Sequence, residues 1–108
     1  MLAMNDEAPN CQSVKIVNRL GLHARAAGKL VNLVDHFNAV VTLEKDSQVA
    51  STESILELMM LTASPGDEVT VKATGPEASM ALKAVVDLIK QGFGEEISPV
   101  IKPQEPEV

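Results

Sequence analysis

The segment Gly21-Leu22-His23-Ala24-Arg25 concentrates the residues that could do chemistry: a nucleophilic imidazole and, two positions on, a guanidinium. A stretch with helical apolar spacing begins directly after it, so His23 falls at or just before a helix N-terminus. Backbone amides without intrahelical partners point outward there, and the helix dipole adds about 0.3–1 kcal/mol in favour of an anion. A phosphoryl group carried on the ring would accept hydrogen bonds from those amides, and Arg25 would add a charge-assisted bond. The same field favours the neutral imidazole, which is the nucleophilic form. Taken alone, a histidine at a helix start is more often a solvated turn residue. Both readings stand on the residues by themselves.

Ser54 is the second residue with chemistry to offer. In Ser54-Ile55-Leu56-Glu57 it fits a capping box, accepting from the amide three residues on while Glu57 reaches back to the cap. Such a cap contributes about 1 kcal/mol, and a phosphate on the same hydroxyl would suit a helix N-terminus. Leu22, Ala24, Ile55, Leu56 and Met59 are expected to form an apolar partner-binding face near His23. Core packing is the plainer reading of the Met59-Met60 pair, although methionine also adapts to varied partners. His36, thirteen positions after His23, is expected to interact with the end of the first helix rather than with a metal. No cluster of Cys, His or carboxylate residues has ligand spacing, so neither metal nor cofactor is expected. The single Cys11 cannot close an internal disulfide and has no basic neighbour to activate it.

These residues need elements to hold them. Val14 to Val17 is β-branched and reads as a strand, with Asn18 to Gly21 as the turn that follows. From Ala24 to Phe37 the apolar residues Ala27, Leu30, Val31 and Val34 mark one helical face. Gly28 within that helix costs about 1 kcal/mol relative to Ala, which suggests close packing against it. Ala39 to Glu44 and Gln48 to Ser51 read as strands joined through Lys45-Asp46-Ser47. The helix capped by Ser54 should end near Ala63, before the break at Ser64-Pro65-Gly66-Asp67. Glu68 to Thr74 alternates Val69, Val71 and Ala73 with polar residues, a half-buried strand. Gly75-Pro76 then opens a last helix whose stripe is Ala78, Ala81, Leu82, Val85 and Ile89, with Gly92 at its end. The order β-α-β-β-α-β-α implies an α+β two-layer domain, an antiparallel sheet covered by helices on one face. Periodicity does not fix the order of strands in the sheet.

The chain's 108 residues suit one domain, expected over residues 13–96 between a polar flexible leader, 1–12, and a proline-rich acidic tail, 97–108. Phe37 and Phe93 are the only aromatic residues, so the core must be aliphatic. A net charge of −6 without any basic cluster argues against nucleic acid. The longest apolar run, Leu58 to Leu61, is far too short to span a bilayer, and residues 1–10 do not resemble a signal peptide. A monomeric cytoplasmic protein is expected.

The stretch from Asn18 to Leu30, Asn-Arg-Leu-Gly-Leu-His-Ala-Arg-Ala-Ala-Gly-Lys-Leu, resembles the active-site segment of the HPr family, phosphocarriers of the bacterial phosphoenolpyruvate-dependent phosphotransferase system. It is closer still to the family's nitrogen-branch type, NPr. The similarity continues through Ser54 to Leu61, Glu68 to Ala78 and Gly92 to Glu96, about 80 residues in order. The resemblance implies an open-faced β-sandwich with four strands and three helices. It also implies that His23 is phosphorylated on Nδ1, that Arg25 assists, that enzyme I is the donor and that an enzyme IIA-type protein is the acceptor. Ser54 aligns with the serine modified by HPr kinase/phosphorylase in many members, although Glu57 stands where many such substrates have Gly. Ala26 replaces the proline usual after the arginine, and Leu20 replaces the Asn or Ser common in sugar-branch members. Such a protein is a carrier in a relay and need not be a complete enzyme. A regulatory module that docks a target and responds to phosphorylation is the alternative. A small-molecule sensor is weaker, for no glycine-rich ligand loop is present.

Overall fold

Four antiparallel strands build the sheet in the order β1-β4-β2-β3, and the computed structural model describes residues 10–100. The elements are β1 (Asn10–Lys15), α1 (Ala24–Val34), β2 (Val40–Lys45), β3 (Gln48–Ser51), α2 (Ile55–Met60), β4 (Glu68–Thr74) and α3 (Ala78–Lys90), closed by one 3₁₀ turn, Gly92–Gly94. The last strand in sequence is thus a central one. Its inward row explains the position: Val69, Val71 and Ala73 are fully buried, in register with Val14 on one side and with Leu43 and Val41 on the other. Each valine contributes roughly 1.5–3 kcal/mol by leaving water. The outward row is polar, with Lys72 paired to Glu44 at 3.2 Å and Thr70 bonded to Ser13 at 3.2 Å. The helices cover the inward row, where Leu30, Leu58, Val85 and Ile89 complete a core that is aliphatic except for the buried ring of Phe93.

Local chemistry sets the connections. Asp46 and Ser47, at φ 50° and 72°, form the two-residue hairpin between β2 and β3. Two left-handed residues in succession match the strands' twist. Ser54 caps α2, its Oγ accepting from the Glu57 amide at 3.1 Å. The reciprocal half of the expected box differs: Glu57 Oε1 accepts from the Ser51 amide at 2.9 Å, while the Ser54 amide donates to the Ser51 carbonyl.

Several boundaries move. Residues 10–12, assigned by composition to the leader, are the first half of β1; their backbones pair with β4 from Asn10↔Ala73 onward. Their side chains are exposed, so no apolar pattern announced them; residues 1–9 of the leader lie outside the described residues. Helix α1 ends at Val34, and Phe37 closes back onto the Val34 carbonyl at 2.9 Å. His36 therefore sits just past the helix, its Nδ1–H donating to the Asn32 carbonyl at 2.8 Å. Helix α2 stops at Met60, because Thr62 turns left-handed at φ 50°. At the other end, Ile97 bridges to Asn18 and the buried Ser98 donates its amide to the Val17 carbonyl at 2.8 Å. The start of the expected tail is therefore docked, and residues 101–108 lie outside the described residues. Gly28 is not needed for close approach: a β-carbon there would meet only Ile55 Cδ1, at an ordinary 3.8 Å.

Candidate active site

His23 is held in place by a turn that only glycine can make. Gly21 has φ +68°, and a β-carbon on it would lie 2.5 Å from the Ala63 carbonyl oxygen. That oxygen instead accepts the Leu22 amide at 3.0 Å, tying the turn to the end of α2. Leu22 is 4 % exposed and packs into the core. This corrects its expected place on the partner-binding face: the bond to Ala63 turns the side chain inward, where it anchors the turn. The His23 carbonyl then accepts the Ala27 amide at 2.8 Å and starts α1.

His23 is itself the N-cap of α1, with extended backbone. Its Nδ1 accepts the Arg25 amide at 3.3 Å, and its Nε2 faces both Glu95 oxygens, at 2.9 and 2.7 Å. An ionised carboxylate only accepts, so the proton belongs on Nε2. The amide of Arg25 only donates, so Nδ1 carries a lone pair. The ring is 23 % exposed, enough for a partner to reach it. The Arg25 side chain is exposed and makes no ion pair among the described residues.

Glu95, which no local sequence pattern singles out, stands directly against His23. It reaches His23 because Gly92, Phe93 and Gly94 are all left-handed, at φ 65°, 57° and 73°, and reverse the chain after α3. A left-handed phenylalanine costs roughly 1–2 kcal/mol, which burial of its ring offsets. Lys29 Nζ donates to the Phe93 carbonyl at 2.6 Å, and Asn18 Nδ2 donates both to Glu95 Oε1 at 3.1 Å and to the Gly21 carbonyl at 2.8 Å. Burial pushes the Glu95 carboxyl up, but the hydrogen bonds from Asn18 and His23 and the charge of Lys29 outweigh it. The carboxyl is held below the ordinary value. The one sequence signal was an acid directly after Gly-Phe-Gly, which carries no hint of a partner 72 residues away.

The rest of the expected site falls into two groups. Ala24, Ile55, Leu56 and Met59 are exposed, with Leu20 and Met60 extending the same apolar character. Ile55 lies under Gly28, one turn along α1 from Ala24. Ser54 is half-buried and engaged as the cap. No helix among the described residues is long and apolar enough to cross a membrane.

An imidazole with its Nδ1 lone pair at a helix-end amide, beside a guanidinium without an ion pair among the described residues, is suited to accept a phosphoryl group. The family model described as "PTS HPr component phosphorylation site" matches residues 11–91. The phosphocarrier protein NPr of Escherichia coli is 43 % identical over 86 residues, 79 % of this chain and 96 % of the relative. The phosphocarrier protein HPr of Neisseria meningitidis is 38 % identical over 84 residues, 78 % of this chain and 94 % of the relative. Among solved structures, an HPr from Thermoanaerobacter tengcongensis superposes with a TM-score of 0.76 at 38 % identity, covering 81 % of this chain and 98 % of that one. That match shares the four-stranded antiparallel open sheet and three helices. The chain belongs to the HPr family, the phosphocarrier proteins of the phosphotransferase system.

Proposed function

We propose that His23 Nδ1 is the atom that carries the phosphoryl group, received from phosphorylated enzyme I and passed to an enzyme IIA-type protein. The observation that carries this reading is the lone pair of Nδ1 at the α1 N-terminus, 3.3 Å from the Arg25 amide. In the forward step that lone pair attacks the phosphorus of the donor's phosphohistidine. The phosphorus–nitrogen bond of the donor breaks, and its electron pair returns to the donor imidazole. The transferred oxygens then lie against the helix-end amides, with the Arg25 guanidinium available to neutralise them. Transfer onward reverses these events with a second imidazole.

Donor and acceptor dock on Ala24, Ile55, Leu56 and Met59, the exposed apolar residues along α1 and α2. The carrier works as a monomer in the cytoplasm. Its similarity to an NPr supports a nitrogen-related or regulatory branch. Ser54 is a regulatory site for HPr kinase/phosphorylase in this reading; ATP and that kinase add a phosphate that Ser54→Ala abolishes. A module that only docks a target is the alternative, and the placement of both His23 and Arg25 at one helix end favours carriage. Radiolabelled phosphoenolpyruvate with enzyme I is expected to give acid-labile, base-stable label on wild type and none on His23→Ala. A competent enzyme I that leaves wild type unlabelled overturns the carrier reading and favours the docking module.

A further inference from the structure

We propose that Glu95, braced by Asn18, is a positioning residue for phosphoryl transfer: it holds the proton on His23 Nε2 and stabilises the ring once Nδ1 is phosphorylated. This inference rests on the carrier function of His23 proposed above.

The contact is built from both sides. Before Glu95, the left-handed turn at Gly92–Gly94 is pinned by Lys29 Nζ on the Phe93 carbonyl, 2.6 Å. After it, the Arg19 amide donates to the Glu96 carbonyl at 2.8 Å, Ile97 bridges to Asn18, and the Ser98 amide donates to the Val17 carbonyl at 2.8 Å. The segment after α3 thus straps Glu95 onto the turn that presents His23. The pair is also sheltered, with side chains 23 % and 14 % exposed, whereas the neighbouring Arg19–Glu96 pair is 56 % and 74 % exposed. Water competes far less with the first pair than with the second.

Asn18 shows what the arrangement is for. It is fully buried, and its Oδ1 has no hydrogen-bond partner among the described residues. Leaving a buried acceptor unpaired is unfavourable, so asparagine at this position is not explained by satisfaction of its own groups. Its Nδ2 is fully used, holding Glu95 Oε1 and the Gly21 carbonyl together. Asn18 therefore couples the carboxylate to the turn that sets the ring.

The chemical consequence follows from charge. When the Nδ1 lone pair forms the phosphorus–nitrogen bond, the ring gains positive character while Nε2 keeps its proton. The Glu95 carboxylate faces that N–H directly. It stabilises the phosphorylated ring more than the free neutral ring, and so shifts the exchange equilibrium toward the carrier. No proton leaves the site, and the donor imidazole takes the electron pair.

Two readouts test this on the full chain. Proton–nitrogen NMR of uniformly labelled wild type is expected to show a slowly exchanging Nε2–H of His23, lost in Glu95→Ala. The ratio of phosphorylated to free carrier against a fixed excess of enzyme I donor is expected to fall about tenfold in Glu95→Gln, with a smaller fall in Asn18→Ala. A thermal melt of each variant confirms that the ratio is read on folded protein. Persistence of the Nε2–H signal in Glu95→Ala, or an unchanged ratio in folded Glu95→Gln, overturns the proposal. The NMR signal is read without phosphoryl transfer, so it decides the positioning role separately from the carrier function.

Discussion

Gly21 and Ala63 meet where no side chain can intervene: a β-carbon at 21 would sit 2.5 Å from the Ala63 carbonyl oxygen. This contact joins the His23 turn to the end of α2, and so places His23 beside the apolar helix that partners are proposed to grip.

Gly21→Ala is therefore expected to destabilise the protein by about 2–4 kcal/mol, the sum of a left-handed alanine and a backbone clash. Urea unfolding gives the value. A loss below about 0.5 kcal/mol would mean that the turn can relax without cost.

Gly28→Ala should do the opposite. The new methyl meets only Ile55 Cδ1, at 3.8 Å, and α1 gains about 1 kcal/mol of helix propensity. The melting temperature is expected to rise by about 4–8 °C, with phosphoryl acceptance retained. A lower melting temperature would show that α1 and α2 are packed more tightly than the contact indicates.

Much of the frame that holds these residues was legible in the sequence. The stripe of α1, the alternation of Val69, Val71 and Ala73, and the Ser54 cap are local patterns, set by periodicity and by one side chain reaching its own helix. What escaped is non-local. The pairing of residues 10–12 with β4 is a backbone matter with exposed side chains, and the insertion of β4 between β1 and β2 leaves no trace in spacing. Leu22 looked like a docking residue because it adjoins His23, yet the Gly21 turn sends it into the core. The helix N-terminus alone suggested an isolated neutral imidazole. The carboxylate beside it came into view only once the left-handed turn at Gly92–Gly94 had carried Glu95 back across the fold.

Stability should carry a signature of that carboxylate. Its folded pKa lies below the ordinary value, with Asn18, His23 and Lys29 facing it. A depressed carboxylate contributes stability above its unfolded pKa, about 4.3, and loses it as pH falls through the folded value. Wild type is thus expected to exceed Glu95→Gln in unfolding free energy at pH 6, with the difference shrinking below about pH 4. A difference that stays constant or grows on acidification would contradict this. Urea titrations at several pH values measure it.

The proposed docking face is separable from His23. Leu56 is 68 % exposed, so Leu56→Glu should leave the melting temperature within about 2 °C while slowing exchange with enzyme I about tenfold or more. Val49→Glu, on the β2–β3 hairpin, is the control and should leave the rate unchanged. Equal rates for both variants would move the docking face elsewhere.

The cap of α2 can be weighed apart from any modification. Ser54→Ala should lose about 1 kcal/mol, and Ser54→Asp, which also caps, should lose little. Melting curves of the two decide it; equal losses would assign Ser54 a role other than the cap.

Nδ1 of His23 is proposed to carry the phosphoryl group. Nitrogen-15 and phosphorus-31 NMR of the carrier, phosphorylated by enzyme I and phosphoenolpyruvate, reads the bonded atom directly. Phosphorus coupled to His23 Nδ1, with Nε2 still protonated against Glu95, is the expected result. Phosphorus on Nε2, or on any residue other than His23, would contradict it.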